Sequence, residues 1–166
     1  MNKVGLFITK CRDTAVIPSY AREGDAGADV SAAVETVIAP GQTVSVPTGL
    51  KVAVPQGYEL QVRPRSGISL NTPLRISNSP GTIDPGFRDE VRIIMTNAIA
   101  VGDGICDEVL CVSSKGNIEG TYKIMPGDRI AQFVLQEVPV IVWEEVSSLD
   151  GMGTDRMGGF GSTGTD

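Results

Sequence analysis

Thr43-Val44-Ser45-Val46-Pro47-Thr48-Gly49-Leu50-Lys51-Val52-Ala53-Val54-Pro55-Gln56-Gly57-Tyr58-Glu59-Leu60-Gln61-Val62-Arg63 decides the fold class. Three runs, 43–46, 50–54 and 58–63, alternate side-chain character with a period of two, the pattern of strands. Pro47-Thr48-Gly49 and Pro55-Gln56-Gly57 between them read as turns. Outward from this stretch the pattern repeats. Residues 4–9, 90–96, 129–136 and 138–142 read as further strands. Strands punctuated by Gly and Pro at this spacing predict an all-β sandwich, barrel or jelly roll. Helix is scarce, and the best candidate is a short one over 66–70, just after Pro64-Arg65. No repeat and no linker divides the chain, so residues 1–148 are expected to form one β domain. Residues 149–166 are rich in glycine and poor in large apolar groups. Alone they form no core, and they read as a tail or as an arm that orders on a ligand or a neighbour.

The chain has 166 residues, 20 acidic and 14 basic side chains, three cysteines and no histidine. Without histidine a Ser-His-Asp or Cys-His triad is excluded, as is a metal site needing imidazole. Acid–base work falls to carboxylates, lysine, tyrosine or cysteine. A net charge of −6 argues against a non-specific nucleic-acid binder or a partner of anionic membranes. A small anionic substrate still fits a locally basic pocket. Cys11, Cys106 and Cys111 are an odd number without zinc-site spacing, and read as buried or free thiols in a reducing compartment. Neither a signal peptide nor a transmembrane run stands out, so the expected compartment is the cytoplasm.

Five segments combine glycine with polar residues. Asp25-Ala26-Gly27-Ala28-Asp29-Val30 is either a solvated turn before a strand or outer-shell support for a hydrated Mg²⁺. Arg63-Pro64-Arg65-Ser66-Gly67-Ile68 is a cap or a phosphate contact, since guanidinium, hydroxyl and backbone N–H groups together suit phosphate. Asn78-Ser79-Pro80-Gly81-Thr82-Ile83-Asp84-Pro85-Gly86-Phe87-Arg88-Asp89-Glu90 suggests a hairpin. It is a plain surface hairpin, or one whose backbone reads the edge of a base, with Asp84 near the tip beside Phe87. Pro126-Gly127-Asp128-Arg129-Ile130-Ala131-Gln132-Phe133 reads as a turn into a strand. Asp155-Arg156-Met157-Gly158-Gly159-Phe160-Gly161-Ser162-Thr163-Gly164 suits a lid that stacks one ring on a base and wraps phosphates.

Taken in order, these segments resemble the five motifs of the trimeric dUTP pyrophosphatases (dUTPases), from about Asp25 to Thr163. Pro64-Arg65-Ser66-Gly67, Gly127-Asp128-Arg129-Ile130-Ala131-Gln132 and Gly159-Phe160-Gly161-Ser162-Thr163-Gly164 look like that family almost verbatim. The resemblance implies a jelly-roll-like β-barrel subunit with a flexible C-terminal arm. It also implies a homotrimer with three active sites, each assembled from three subunits. The implied reaction converts dUTP and water to dUMP and pyrophosphate with Mg²⁺, which keeps uracil out of DNA and supplies dUMP for dTMP synthesis. Asp29 would hold waters of the Mg²⁺. Arg65, Ser66 and Gly67 would contact the phosphates, with Ser66 near the bond that breaks. Asn78 and the backbone of Gly81, Thr82 and Ile83 would read uracil. Asp84 would orient and deprotonate the attacking water. Phe87 would lie under the deoxyribose, and Gln132 would touch phosphate. Arg156, Phe160, Gly161, Ser162 and Thr163 would form the closing arm, with Phe160 over uracil and Arg156 on the phosphates.

Three positions depart from the family pattern. Phe87 replaces its usual tyrosine, and Asp89 stands where glycine is usual, a place where Asp tolerates left-handed backbone. Arg156 lies four residues before Phe160 rather than five. Residues 97–125 exceed the family's compact connection and read as an inserted hairpin, 109–112 pairing near 121–124. This insert either extends the sheet or meets a protein partner or another subunit. Two rival readings remain. A dCTP deaminase shares the fold, but needs a catalytic glutamate on or near Ile94. A non-catalytic trimer would lack Asp84, Ser66 or the arm, and all three are present.

Overall fold

The computed structural model describes residues 3–100 and 106–154. Over them the chain is almost entirely strands, laid out in three sheets. The first runs β1 (Phe7–Lys10), β4 (Thr43–Ala53), β8 (Val91–Asn97), β6 (Leu74–Ile76). The second runs β2 (Ala28–Ser31), β11 (Arg129–Glu137), β5 (Tyr58–Pro64), β7 (Gly81–Ile83). The third runs β3 (Thr36–Ile38), β10 (Gly120–Ile124), β9 (Cys106–Cys111). Sheet neighbours are mostly remote in sequence, so the chain crosses repeatedly between sheets, as in a jelly roll. Among the described residues the sheets do not close into one hydrogen-bonded barrel. The one helix there, α1 (Ser66–Asn71), falls where the sequence predicts it.

The period of two builds the core. β8 buries Val91, Ile93, Met95 and Asn97 and turns Arg92 and Ile94 outward. β10 buries Gly120, Tyr122 and Ile124. Val91, Ile93, Met95, Tyr122 and Ile124 meet Val30, Ile38, Leu50 and Phe133 in one apolar cluster. Its single buried amide side chain, Asn97, donates from Nδ2 to the carbonyls of Ile38 (3.1 Å) and Gly120 (2.8 Å). It thereby ties β8 to the third sheet and leaves neither its own donor nor those acceptors buried and unpaired.

Four sequence expectations change. Pro47-Thr48-Gly49 is no turn but an irregularity inside the continuous β4, where the register with β8 shifts between Pro47 and Leu50. Thr48 Oγ1 donates to the Val91 carbonyl at 2.6 Å, and Glu90 Oε1 accepts the Gly49 N–H at 2.9 Å. The displaced backbone groups are thus satisfied without ending the strand. Residues 138–142 form no strand. After Val138 N donates to the Gly57 carbonyl, Val140, Ile141 and Trp143 stand 90%, 63% and 85% exposed. Within 97–125 the expected partners do pair, Leu110 opposite Tyr122 and Cys111 opposite Lys123, but β9 runs parallel to β10, so the stretch is not a hairpin. The chain doubles back through Gly116 (φ 95°) and Asn117 (φ 51°). Finally, β7 pairs with β5 rather than folding back on its own neighbours, so the third segment is an edge strand and not a hairpin.

No helix among the described residues is long and apolar enough to cross a membrane. Cys11 and Cys111 are exposed free thiols.

Candidate active site

Strand register brings the first, second and fourth segments together. Gln132 on β11 lies directly opposite Asp29 on β2, and Ala131 opposite Pro64, the last residue of β5. Arg65 therefore emerges beside both. Its Nε donates to Asp29 Oδ1 at 2.9 Å and its Nη2 to Oδ2 at 3.3 Å. Arg129 Nη1 donates to Asp29 Oδ2 at 2.9 Å, and Gln132 Nε2 to Oδ1 at 3.3 Å. A Cβ at Gly27 would sit 3.2 Å from the Gln132 side chain, closer than ordinary contact, so any larger residue there would push against Gln132.

Asp29 is buried. Burial alone would raise its pKa. The hydrogen bond and charge of Arg65, the charge of Arg129 and the hydrogen bond of Gln132 outweigh that, and hold the carboxyl below its ordinary range. One carboxylate thus neutralises only one of two guanidiniums, and the cluster keeps a net positive charge. Ser66 and Gly67 follow Arg65, both exposed at the start of α1. Asp25 takes no part. Its Oδ2 accepts the Arg22 N–H at 2.8 Å and closes a local turn.

The third segment is built differently. β7 is the edge of its sheet, so one row of its backbone N–H and C=O groups has no strand partner. Gly81 packs tightly, a Cβ there coming within 3.2 Å of Asn78 Nδ2 and 3.3 Å of Val62 Cβ. Thr82 is exposed and Ile83 buried. Asp84 and Phe87 are exposed in the following turn, where Phe87 N donates to the Asp84 carbonyl at 3.1 Å. Arg88 Nη1 braces that turn through the carbonyls of Pro85 and Phe87. Glu90 anchors its far end in a bidentate pair with Arg12, at 2.6 and 2.9 Å. Asp89 has no positive φ, so its replacement of glycine needs no left-handed backbone.

The chain does not bring its own Asp84 to its own Arg65. Ile83 lies opposite Leu60, which puts Asp84 level with Glu59. Arg65 is six residues further along, roughly 20 Å at ~3.3 Å per residue. Arg156, Phe160, Gly161, Ser162 and Thr163 lie outside the described residues. Arg129 is the site residue that sequence reasoning left without a role. Its only signal was its place inside the fourth segment.

A dUTPase family model matches residues 13–102. A deoxyuridine 5'-triphosphate nucleotidohydrolase of Solibacter usitatus is 38% identical over 166 residues, covering 99% of this chain and 99% of its own. The chain belongs to the dUTPase family. Its similarity extends to a second enzyme of the same description from Chlamydia felis, 43% identical over 152 residues, with 89% of this chain and 90% of that one covered. The dUTPase of Staphylococcus bacteriophage 80alpha, solved with dUPNHPP, superposes with a TM-score of 0.88 at 26% identity, covering 98% of this chain and 99% of that one. A mutant dUTPase from phage phi11 of S. aureus, described as coordinating a structural Mg(II) ion, superposes with a TM-score of 0.79 at 28% identity, covering 89% of this chain and 99% of that one.

Proposed function

We propose that this dUTPase-family protein hydrolyses dUTP to dUMP and pyrophosphate. The observation that carries the reading is the cluster of Asp29, Arg65, Arg129 and Gln132 beside Ser66 and Gly67. It is a positively charged, hydrogen-bonding surface on an acidic chain, and it suits the phosphates of a nucleotide. Arg65, Ser66, Gly67 and Gln132 bind the phosphate chain. The free edge of β7, with Asn78, supports recognition of uracil by backbone groups. A cytosine ring presents the wrong donors and acceptors to such an edge and is rejected strongly. Phe87 packs under the deoxyribose, where a 2′-hydroxyl has no room.

Asp84 orients a water and takes its proton as the oxygen attacks the α-phosphorus. The bond from that phosphorus to the bridging oxygen breaks, and pyrophosphate leaves. A carboxylate is a weak base, so placement of the water supplies much of the rate. Arg65 and the arm residue Arg156 stabilise the charge on the phosphates in the transition state. Phe160, Gly161, Ser162 and Thr163 close over base and phosphates. The arm, residues 149–166, acts as a lid on the β domain of residues 1–148.

A hydrated Mg²⁺ fits the donor set. Among the described residues no group of three or more acidic or thiol side chains could cage a cation. Asp29 is the carboxylate beside the phosphate contacts, and Mg²⁺ is typically bound by one or two carboxylates plus substrate phosphates. Both of its oxygens accept from Arg65, Arg129 and Gln132 in the free chain, so those donors would turn to the phosphates when the ion's waters take their place. Asp29 would hold it through water, and the ion supplies positive charge to the triphosphate. The distance between Asp84 and Arg65 within one chain supports a homotrimer whose sites are shared between subunits. The cell benefits in the cytoplasm, where the reaction keeps uracil out of DNA and supplies dUMP for dTMP synthesis.

The test is turnover of dUTP, dCTP, dTTP and UTP with Mg²⁺ by wild type and Asp84→Asn. Pyrophosphate from dUTP alone, reduced at least ~100-fold in the variant, is the expected result. Uracil products from dCTP would move the protein to the deaminases. No turnover of any nucleotide would leave a binding module.

A further inference from the structure

The 97–125 stretch places a loop against the phosphate site. A cleft of about 320 Å³ is lined by Arg65, Gly67 and Arg129 together with Ser113, Ser114 and Lys115. We propose that Lys115 is a further phosphate-binding element, holding the pyrophosphate end of the nucleotide's phosphate chain together with Arg65. The proposal rests on the dUTP reading given above.

The loop is built to hold this position. Asn117 N donates to the Asn71 carbonyl of α1 at 2.9 Å, docking the loop on the helix that follows Arg65. Ser114 N donates to the Cys111 carbonyl at 2.9 Å, and Ser114 Oγ accepts the Cys111 N–H at 3.3 Å. The left-handed Gly116 and Asn117 turn the chain back between these two anchors.

The charges point to an anion. Arg65 and Arg129 share the single carboxylate of Asp29, which leaves one positive charge uncompensated. Lys115 makes no ion pair among the described residues. Among the described residues the one acid lining the cleft is Asp128, and its Oδ2 accepts the Met125 N–H at 2.8 Å. Cations therefore outnumber acids at a cleft on a chain of net charge −6. Among the described residues no aromatic side chain lines it. Its size lies at the small end for ligand sites, which fits a phosphate chain rather than a whole nucleoside.

The experiment uses the full-length protein as wild type, Lys115→Gln and Lys115→Arg. Two quantities are read: calorimetric affinity for inorganic tripolyphosphate, and KM and kcat for dUTP. Lys115 is exposed, so the variants keep the fold. Lys115→Gln should weaken tripolyphosphate binding and raise the KM for dUTP by about three- to tenfold, with kcat within about twofold. Affinity for dUMP should not change, and Lys115→Arg should recover most of the loss. Equal tripolyphosphate affinity in wild type and Lys115→Gln, or no binding to either, would overturn the proposal. Normal dUTP turnover alongside that equality leaves the dUTP reading standing. A tripolyphosphate difference without any dUTP turnover would establish the anion site and sink the dUTP reading instead.

Discussion

Asp29 is shared by two arginines and a glutamine, and Glu90 by Arg12 and the Gly49 N–H. Both carboxyls titrate below their ordinary range. For Glu90 the hydrogen bond from Arg12 is the main cause, opposed by burial and helped by the Gly49 N–H and the charges of Arg12 and Arg92. A carboxyl whose folded pKa is depressed stabilises the fold above its unfolded pKa. That contribution fades as pH falls below about 4 and through the folded value. Urea unfolding should therefore give stability that is level in this respect from neutrality to about pH 5 and declines below it. Glu90→Gln should make the acid decline shallower, and an unchanged slope would count against the pairing. Residue identity was legible where a short motif carries it, as at Arg65, Ser66 and Gln132. Arg129 was not, because its partner Asp29 is 100 positions away. Only the β2–β11 register, with its shift between Arg129 and Ala131, decides where that side chain goes.

At the scale of elements, alternation along 50–54 and 58–63 was enough to place β4 and β5, and Pro64-Arg65 enough to place α1. Pairing was the hidden part. Nothing local in Gly81-Thr82-Ile83 says that it joins β5 and not the strands on either side of it. Nothing local in Pro47-Thr48-Gly49 distinguishes a turn from a mid-strand irregularity, since both use a left-handed glycine. Gly49 has φ 70°, and a Cβ there would lie 2.7 Å from Ala15 Cβ and 3.1 Å from the Cβ atoms of Ala33 and Arg12. Gly49→Ala should accordingly cost about 2 kcal/mol or more, from backbone strain and overpacking together. Chemical denaturation measures it. A loss below about 0.5 kcal/mol would mean that β4 can straighten at this point.

The whole molecule leaves two things unfinished. An apolar run just after β11, including Val140, Ile141, Val142 and Trp143, stands exposed. Asp84, the proposed base, stands away from the cluster of Asp29, Arg65 and Arg129 proposed to hold phosphate. The proposed trimer, in which subunits complete one another, would account for both. The mass in solution should then be about three times 17.5 kDa. Removing residues 150–166 should lower dUTP turnover by at least ~100-fold and leave that mass trimeric. A truncated protein with full activity would contradict the lid.

The most direct test of shared sites mixes two impaired parents, Asp84→Asn and Arg65→Gln, unfolded together in equal amounts and refolded. If Asp84 of one subunit serves the phosphates held by Arg65 of another, each mixed cyclic trimer contains one intact site. Turnover of dUTP should then rise from near zero in either parent to about a quarter of wild type. A mixture that forms hybrid trimers by native mass spectrometry, yet stays as inactive as its parents, would contradict the account.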